Sequence, residues 1–201
     1  MAYSATITRR MALALTVAAT LAAPSAFAAD ATYREFVLGN PKAKVTVIEY
    51  ASLTCPHCAH FQAEEYPQLK KEYIDTGKIK FVYRDFPLDG LAMGAALLAR
   101  CVPGTRGYEL IQTMLGNQLE WMRSDQPVNI LRGYAEKIGL DSAGFDACLK
   151  NEAILTKIQD EQKRALTEYK VPGTPTFVVN ETIVPGIEYT MIKEAIDKAL
   201  K

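Results

Sequence analysis

The sequence predicts an α/β domain that holds a large helical insertion. Two runs rich in β-branched and aromatic residues, Val45–Tyr50 and Ile79–Asp85, are typical of buried strands. From Leu91 to Tyr169 the pattern is helical, and extended character returns only at Thr176–Asn180. Strands that stop for a block of helices and then resume indicate one α/β domain with an inserted helical part.

The elements before the insertion follow in a simple order. Residues 29–44 predict an arm that leads into the fold, with a turn at Asn40-Pro41. After the first strand a helix is expected from about Pro56 to Thr76. Pro67 is expected to kink this helix, because proline lacks the N–H and clashes with the preceding turn. Gly77 is expected to end it.

The insertion is predicted to contain several helices. Breaks are expected at Pro103-Gly104, near Gln126-Pro127 and at Gly139-Leu140-Asp141, where the last break also supplies a cap for the next helix. Beyond the insertion, a short strand is expected near Thr182–Pro185 and an amphipathic helix over about Tyr189–Leu200.

The N-terminal residues 1–28 resemble a signal for export. Arg9 and Arg10 supply positive charge, Met11–Ala23 is apolar, and Ala26-Phe27-Ala28 offers small residues for cleavage after Ala28. This pattern is typical of a secretory signal peptide, with an uncleaved anchor as the alternative. Export would bring the four cysteines into an oxidising compartment, where disulfides form.

The charge balance argues against several classes of partner. Lys and Arg together number 23, and so do Asp and Glu. A chain without net charge has no field that attracts nucleic acid or anionic lipid. We therefore expect neither as a partner.

The sequence Cys55-Pro56-His57-Cys58 is the motif that indicates chemistry. It follows a strand and begins a helix, with Thr54 as a candidate cap, and a Cys-x-x-Cys in that place is typical of a redox pair. The free N–H groups and positive end of the helix favour the Cys55 thiolate, to which His57 adds a hydrogen bond or a charge. We expect Cys58 to be more buried and to act as the resolving thiol.

Three other interpretations of this motif are weaker. A structural disulfide within one helical turn would constrain the unfolded chain little. Zinc is disfavoured because Cys55, His57, Cys58 and His60 on one helix cannot surround a tetrahedral ion. Haem attachment needs a histidine where Ala59 stands. We expect no metal and no cofactor, and His60 is expected to be a packing or surface residue.

The motif and its surroundings resemble the DsbA-type thiol–disulfide oxidoreductases of bacterial periplasms. Besides Cys55–Cys58 and its strand, Phe81–Pro87 and Val171–Phe177 carry the resemblance. It covers nearly the whole chain after residue 28 and implies a thioredoxin-like fold with an inserted helical domain. The expected parts are a signal peptide at 1–28, thioredoxin-like segments at 29–88 and 169–201, and a helical domain at 89–168.

The resemblance also implies roles for single residues. Thr174-Pro175 falls on a cis-proline loop that packs against the active site, where Thr174 offers backbone groups to an extended substrate. An ordinary trans turn is the alternative. Glu49 falls on an acidic position in the strand before the motif and is expected to take a proton from Cys58, with a surface glutamate as the alternative.

A second pair of cysteines, Cys101 and Cys148, lies in the helical block. In an oxidising compartment a disulfide between them is the simplest expectation, and two buried free thiols are the alternative. Closing a loop of this length would stabilise the fold by roughly 4 kcal/mol in the chain-entropy model.

The expected activity is donation of the Cys55–Cys58 disulfide to reduced, unfolded secreted proteins in the periplasm by a monomer. The resemblance implies reoxidation by a DsbB-like membrane protein. A disulfide isomerase or reductase is the nearest alternative. Its usual dimerisation domain has no room before the first predicted strand, whereas Thr174 before the cis-proline resembles the isomerase type. A non-catalytic chaperone or binding module, which would function without either cysteine, is less favoured.

Overall fold

The structure is a computed structural model that describes residue 1, residues 32–102 and residues 104–201. The expected signal peptide, apart from its first residue, and Pro103 of the first expected helix break lie outside the described residues. In the described ranges no helix is both long and apolar enough to cross a membrane.

One mixed sheet organises the described part of the chain, with the strand order β1-β3-β2-β4-β5. β2 and β3 run parallel, with Val45 beside Ile79 and Ala51 beside Asp85, and the other neighbours are antiparallel. The central strand β2 is almost entirely buried, as expected where both faces of a sheet are covered. The strands are β1 Phe36–Gly39, β2 Val45–Ala51, β3 Ile79–Asp85, β4 Thr176–Val179 and β5 Thr182–Ile183.

The N-terminal arm contains a strand that the sequence analysis missed. Phe36–Gly39 pairs antiparallel with β3, with Phe36 beside Tyr83. A four-residue edge strand is too short to show a clear alternation, and its pairing comes from β3. The expected turn follows at once: Asn40 Oδ1 accepts the Lys42 N–H at 3.0 Å. The end of β5 at Ile183 is two residues earlier than predicted.

The helix that follows β2 continues to Ile74 through two π-helical stretches. Pro67 has no N–H and its ring crowds the carbonyl four residues earlier. The chain widens at that point: the Tyr66 N–H bonds to the Phe61 carbonyl, five residues back. Pro67, where a kink is expected, therefore coincides with a local change from a π-helical to an α-helical stretch. Gly77, with φ +68°, ends the helix as predicted.

Six α-helices build the insertion in the described chain, and they share one hydrophobic core with the sheet. Asp89, Asp141 and Asn151 cap three of them by accepting backbone N–H groups. Breaks at Asn117 and before Asn151 were not predicted. The helices are α1 Pro56–His60, α2 Tyr66–Leu69, α3 Gly90–Cys101, α4 Arg106–Gly116, α5 Gln118–Met122, α6 Pro127–Lys137, α7 Ser142–Leu149, α8 Glu152–Arg164 and α9 Tyr189–Ala199, with π-helical stretches at Phe61–Glu65, Lys70–Ile74 and Ala165–Tyr169.

Two buried interactions stabilise the insertion: a disulfide between two of its helices and an ion pair between α3 and the sheet. Cys101 at the end of α3 and Cys148 in α7 form a disulfide, with their Cα atoms 5.7 Å apart. Arg100, whose side chain has no exposed surface, donates to Asp85 Oδ2 at 2.5 Å and to the Tyr83 carbonyl at 3.0 Å. Both acceptors belong to β3, so this charge-assisted contact fixes α3 against the sheet.

Candidate active site

Cys55 and Cys58 lie where β2 gives way to α1. Cys55 is the N-cap residue in an extended conformation, and Pro56 is the first helical residue. Cys55 retains 5% of its surface, whereas Cys58 one turn later has none. Both are free thiols in this structure. The accessible sulfur therefore comes first and the enclosed sulfur second.

Thr54 does not cap this helix, so that prediction is wrong. Its hydroxyl donates instead to Asp89 Oδ2 at 2.7 Å. Asp89 also accepts the Ala92 N–H at 2.7 Å and thereby caps α3. Because no side chain caps α1, its first N–H groups remain directed at the Cys55 sulfur.

The cis-proline loop lies against the same sulfur. The Thr174–Pro175 peptide bond is cis. The Cys55 thiol donates to the Thr174 carbonyl oxygen, with the sulfur and oxygen 3.1 Å apart. Behind it, the rings of Phe61 and Phe177 pack with their centroids 4.5 Å apart and join α1's continuation to β4. The structure thus brings together two motifs that are far apart in the sequence.

The two thiols have opposite acidities. A hydrogen bond with Cys58 is the main cause that lowers the pKa of Cys55 to about 5, and Thr174 and the N–H groups of Cys58 and His57 add to it against the opposing effect of burial. Burial, followed by the hydrogen bond with Cys55 and the charge of Glu49, raises the pKa of Cys58 well above its usual range. At neutral pH the pair holds one thiolate and one thiol.

His57 contributes through its backbone and not through its ring. Its side chain is exposed, and within the described ranges its imidazole makes no hydrogen bond; only its backbone N–H acts on Cys55. The expected imidazole contact with the thiolate is not present. His60 is exposed, in agreement with the surface role expected of it. Among the described residues no three His, Cys, Asp or Glu side chains gather as a metal site would require.

Glu49 is enclosed beneath the cysteines. It is 1% exposed on β2, with Tyr83 beside it on β3 and Phe177 beside it on β4. Neither carboxyl oxygen has a hydrogen-bond partner in the described chain. Burial raises the pKa of Glu49 to about 8. The alternative of a surface glutamate is therefore wrong.

Sequence reasoning missed the residues that hold the turn before the motif. Gln118 of α5, which is buried, donates to the Leu53 carbonyl at 2.8 Å and to the Cys55 carbonyl at 3.0 Å. Ser52 accepts the Leu88 N–H at 3.4 Å. Asp89 could have been recognised from the sequence as a helix cap, because it directly precedes the helix that begins at Gly90. Nothing in the helical pattern distinguishes Gln118 from its neighbours.

A thiolate beside a cis-proline loop and a buried partner thiol is an arrangement compatible with disulfide exchange, and the chain is similar to proteins that are named for this chemistry. A family model described as Thioredoxin matches residues 31–198. A Rickettsia conorii protein with the provisional name protein-disulfide oxidoreductase is 35% identical over 168 residues, which are 83% of this chain and 61% of that protein. A Bacillus anthracis protein, provisionally named disulfide bond formation protein D, is 30% identical over 82% of this chain and 77% of its own length. The chain spans 61% of its Rickettsia relative's length.

Solved structures show the same likeness. Wolbachia pipientis alpha-DsbA1 has a TM-score of 0.76 and 29% identity, covering 83% of this chain and 91% of its own. A Novosphingobium aromaticivorans protein described as a protein-disulfide isomerase has a TM-score of 0.72 and 29% identity, covering 85% and 99%. The thioredoxin-like fold with a helical insertion, as predicted, is thereby confirmed.

Proposed function

This chain belongs to the thioredoxin family and, within it, to the DsbA-type protein-disulfide oxidoreductases; from that premise we propose that it donates the Cys55–Cys58 disulfide to reduced proteins. The observation that carries the proposal is the position of Cys55 at the start of α1 with its sulfur 3.1 Å from the carbonyl of the cis Thr174–Pro175 bond, and the lowered pKa of Cys55 beside the raised pKa of Cys58 supports it. A stabilised thiolate makes the reduced form favourable, and that makes the disulfide a strong oxidant.

The reaction proceeds by two exchanges. A substrate thiolate attacks the Cys55 sulfur, the bond to Cys58 breaks, and a mixed disulfide with Cys55 forms. Cys58 leaves as a thiolate and takes a proton from the buried Glu49 carboxyl group. This direction is the reverse of the one expected from the sequence, because burial keeps the proton on Glu49. A second substrate thiolate then attacks the substrate sulfur of the mixed disulfide, and Cys55 leaves as a thiolate. The substrate loses two electrons to the enzyme, and the low pKa of Cys55 speeds the second exchange.

The substrates proposed are reduced, unfolded secreted proteins that lie in extended form along Thr174-Pro175. The Cys55 thiol already bonds to the Thr174 carbonyl in their absence, which supports this position for a substrate sulfur. We place the reaction in the periplasm, after removal of residues 1–28, with a thioredoxin-like domain of residues 29–88 and 169–201 around a helical domain of residues 89–168. The enzyme acts as a monomer, and a DsbB-like membrane protein reoxidises it.

The test is the equilibrium of the Cys55–Cys58 pair against a series of glutathione ratios. Mass spectrometry after alkylation counts these two cysteines separately from Cys101 and Cys148. A potential near about −120 mV supports a dithiol oxidase, and a potential near about −270 mV would place the protein with the reductases.

A disulfide isomerase is the second candidate. Thr174 before the cis-proline and the likeness to the Novosphingobium protein described as an isomerase favour it. An oxidase converts a reduced substrate but leaves a scrambled one inactive, whereas an isomerase restores the scrambled one. A double Cys55→Ser, Cys58→Ser variant that kept its function in either assay would instead indicate a binding module.

A further inference from the structure

A cluster of buried polar groups lies behind Cys58. It comprises Glu49 on β2, Tyr66 on α2, Tyr83 on β3 and Tyr108 on α4, each at most 4% exposed. Within the described chain the two carboxyl oxygens of Glu49 and the Tyr83 hydroxyl are enclosed without a hydrogen-bond partner, whereas the hydroxyls of Tyr66 and Tyr108 interact with each other. Buried polar groups are almost always paired, so an unpaired carboxyl group beside an unpaired hydroxyl needs an explanation.

The four groups come together because of the sheet and the helices packed on it. Glu49 and Tyr83 are neighbours across the β2–β3 pair, which puts both side chains on one face. The Tyr83 ring lies 5.8 Å from the Tyr108 ring, which lies 6.3 Å from the Tyr66 ring. Glu49 acts electrostatically on each of the three hydroxyls, and those of Tyr66 and Tyr108 also act on each other. The three tyrosines thus pack on the face of the sheet that carries the Glu49 carboxyl group, in one buried cluster.

No cation balances Glu49 among the described residues around it. The titratable groups that face it are Cys58 from α1, Tyr66 from α2, Tyr83 from β3 and Tyr108 from α4, while Phe177 on β4 is apolar. Arg100 and Asp85 act on Tyr83, not on Glu49. A carboxylate formed in this space would be costly without hydrogen-bond donors.

We propose that Tyr83, Tyr66 and Tyr108 are positioning residues for proton transfer at Cys58: their hydroxyls turn toward the Glu49 carboxylate and stabilise the charge that it acquires. The step begins when a substrate thiolate displaces Cys58 from Cys55. The Glu49 proton passes to the Cys58 sulfur, which leaves a neutral thiol and a carboxylate. In the reduced, neutral state the hydroxyls lie outside hydrogen-bond geometry with the carboxyl oxygens, so the Glu49 side chain or a tyrosine ring shifts to form the bonds once the charge appears.

This inference rests on the proposed role of Glu49 in disulfide exchange. Tyr83→Phe removes one donor and keeps the packing. Because a hydrogen bond to a charged group is stronger than a neutral one, we expect the acid dissociation constant of Glu49 to fall about tenfold. The reduction of the Cys55–Cys58 disulfide by dithiothreitol, corrected for the thiolate present, should slow by up to about tenfold at pH 7. The alkaline limb of its pH profile should move upward by about one unit.

Two matched variants make the test specific. Tyr33→Phe removes another enclosed hydroxyl without a partner, one that acts with Arg100 and Asp85 and not with Glu49; its profile should stay that of the wild type. In a Glu49→Gln background, which carries no charge at this position, Tyr83→Phe should change nothing further. An unshifted profile for Tyr83→Phe, an equal shift for Tyr33→Phe, or an effect of Tyr83→Phe that persists in the Glu49→Gln background would overturn the proposal.

A direct titration separates this inference from the function on which it rests. NMR of ¹³C-labelled glutamate follows ionisation of Glu49 in wild type and Tyr83→Phe without any turnover. An upward shift in the variant supports the tyrosine role even if the enzyme proves to be an isomerase. Equal titrations refute that role even if the enzyme is a strong oxidase.

Discussion

The two cysteine pairs are similarly enclosed by the fold and yet differ in covalent state, because one is a disulfide and the other is two free thiols. Cys58 and Cys148 have no exposed surface, and Cys55 and Cys101 retain 5% and 3%. Cys101 and Cys148 lie 47 residues apart and form a disulfide that joins α3 to α7. Cys55 and Cys58 share one turn at the start of a helix. Burial alone therefore does not distinguish the reactive pair from the structural one.

The difference lies in what faces each sulfur. Cys55 meets the Thr174 carbonyl, the N–H groups at the start of α1 and the Cys58 thiol, and Cys58 meets the buried Glu49. The Cys58 thiol and the N–H groups lower the pKa of Cys55, whereas burial raises that of Cys58, so the pair holds a nucleophile and a thiol that keeps its proton. All four cysteines belong to the hydrophobic core that the insertion shares with the sheet, and the sulfurs of Cys101 and Cys148 are bonded to each other.

Removing a sulfur from each pair should give the largest contrast. Cys55→Ser should abolish disulfide donation to a reduced protein, because no other sulfur can accept the substrate thiolate. Cys58→Ser should lose the ability to form its own disulfide while Cys55 remains able to carry a mixed one. Cys101→Ala with Cys148→Ala should retain donation. Turnover of a reduced model substrate measures all three, and loss of turnover in the last variant would break the comparison.

The effect on the free energy of unfolding should rank the two pairs in the opposite order: the loss of Cys101–Cys148 should destabilise the fold more than the loss of Cys55–Cys58. A disulfide across 47 residues constrains the unfolded chain far more than one across a single turn. Cys101→Ala with Cys148→Ala should therefore lower the free energy of unfolding by about 4 kcal/mol in the chain-entropy model. Reducing only Cys55–Cys58 should leave it unchanged or raise it, because the stabilised thiolate of the folded protein outweighs the constraint of so short a loop. Urea unfolding of the separately reduced and substituted proteins measures both, and equal losses would contradict this ranking.

Glu49, which faces Cys58 in the reactive region, has an effect on stability that depends on pH. Burial raises the pKa of Glu49 from 4.5 to about 8, so the folded protein keeps a proton that the unfolded chain releases. Its contribution to stability is complete below about pH 4.5 and is lost as pH rises through about 8. Glu49→Gln, which stays neutral, should avoid this loss. The difference in unfolding free energy between the two proteins should grow by ~1 kcal/mol per pH unit over that window.

Taking this difference by urea unfolding at several pH values cancels the titration of every other group, including Cys55, whose lowered pKa acts in the opposite direction. A difference that stays constant with pH would mean that Glu49 is ionised in the folded protein. In that case the proposed proton donor for Cys58 would already lack its proton.

The sequence could predict the reactive pair because its signal is local. Cys55 and Cys58 stand next to a strand and a helix start that periodicity alone identifies, and Asp141 was a recognisable cap. The residues that tune the pair come from elsewhere in the chain. β1 forms by pairing with β3, and Tyr83 lies beside Glu49 because of the register between β2 and β3. Thr54 is a residue type that often caps helices. Its hydroxyl instead donates to the carboxylate of Asp89, which only the fold brings close to it.

Gln118 is the clearest case of a contact that only the fold could reveal, and it predicts the smallest effect. It holds the carbonyls of Leu53 and Cys55 and so fixes the turn whose N–H groups face the Cys55 sulfur. Gln118→Ala should loosen that turn and raise the pKa of Cys55 by about half a unit, which lowers the ratio of thiolate to thiol about threefold at a given pH.

The rate of iodoacetamide alkylation against pH reports this change, with a wild-type midpoint near pH 5. Gln162→Ala is the matched control, because Gln162 also donates to a loop carbonyl, that of Pro87 at 3.0 Å, away from the motif. An upward shift in both variants would assign the effect to the general attachment of the insertion. A shift in Gln118→Ala alone would show that the helical insertion sets the acidity of Cys55, and thereby joins the structural region of the molecule to the reactive one.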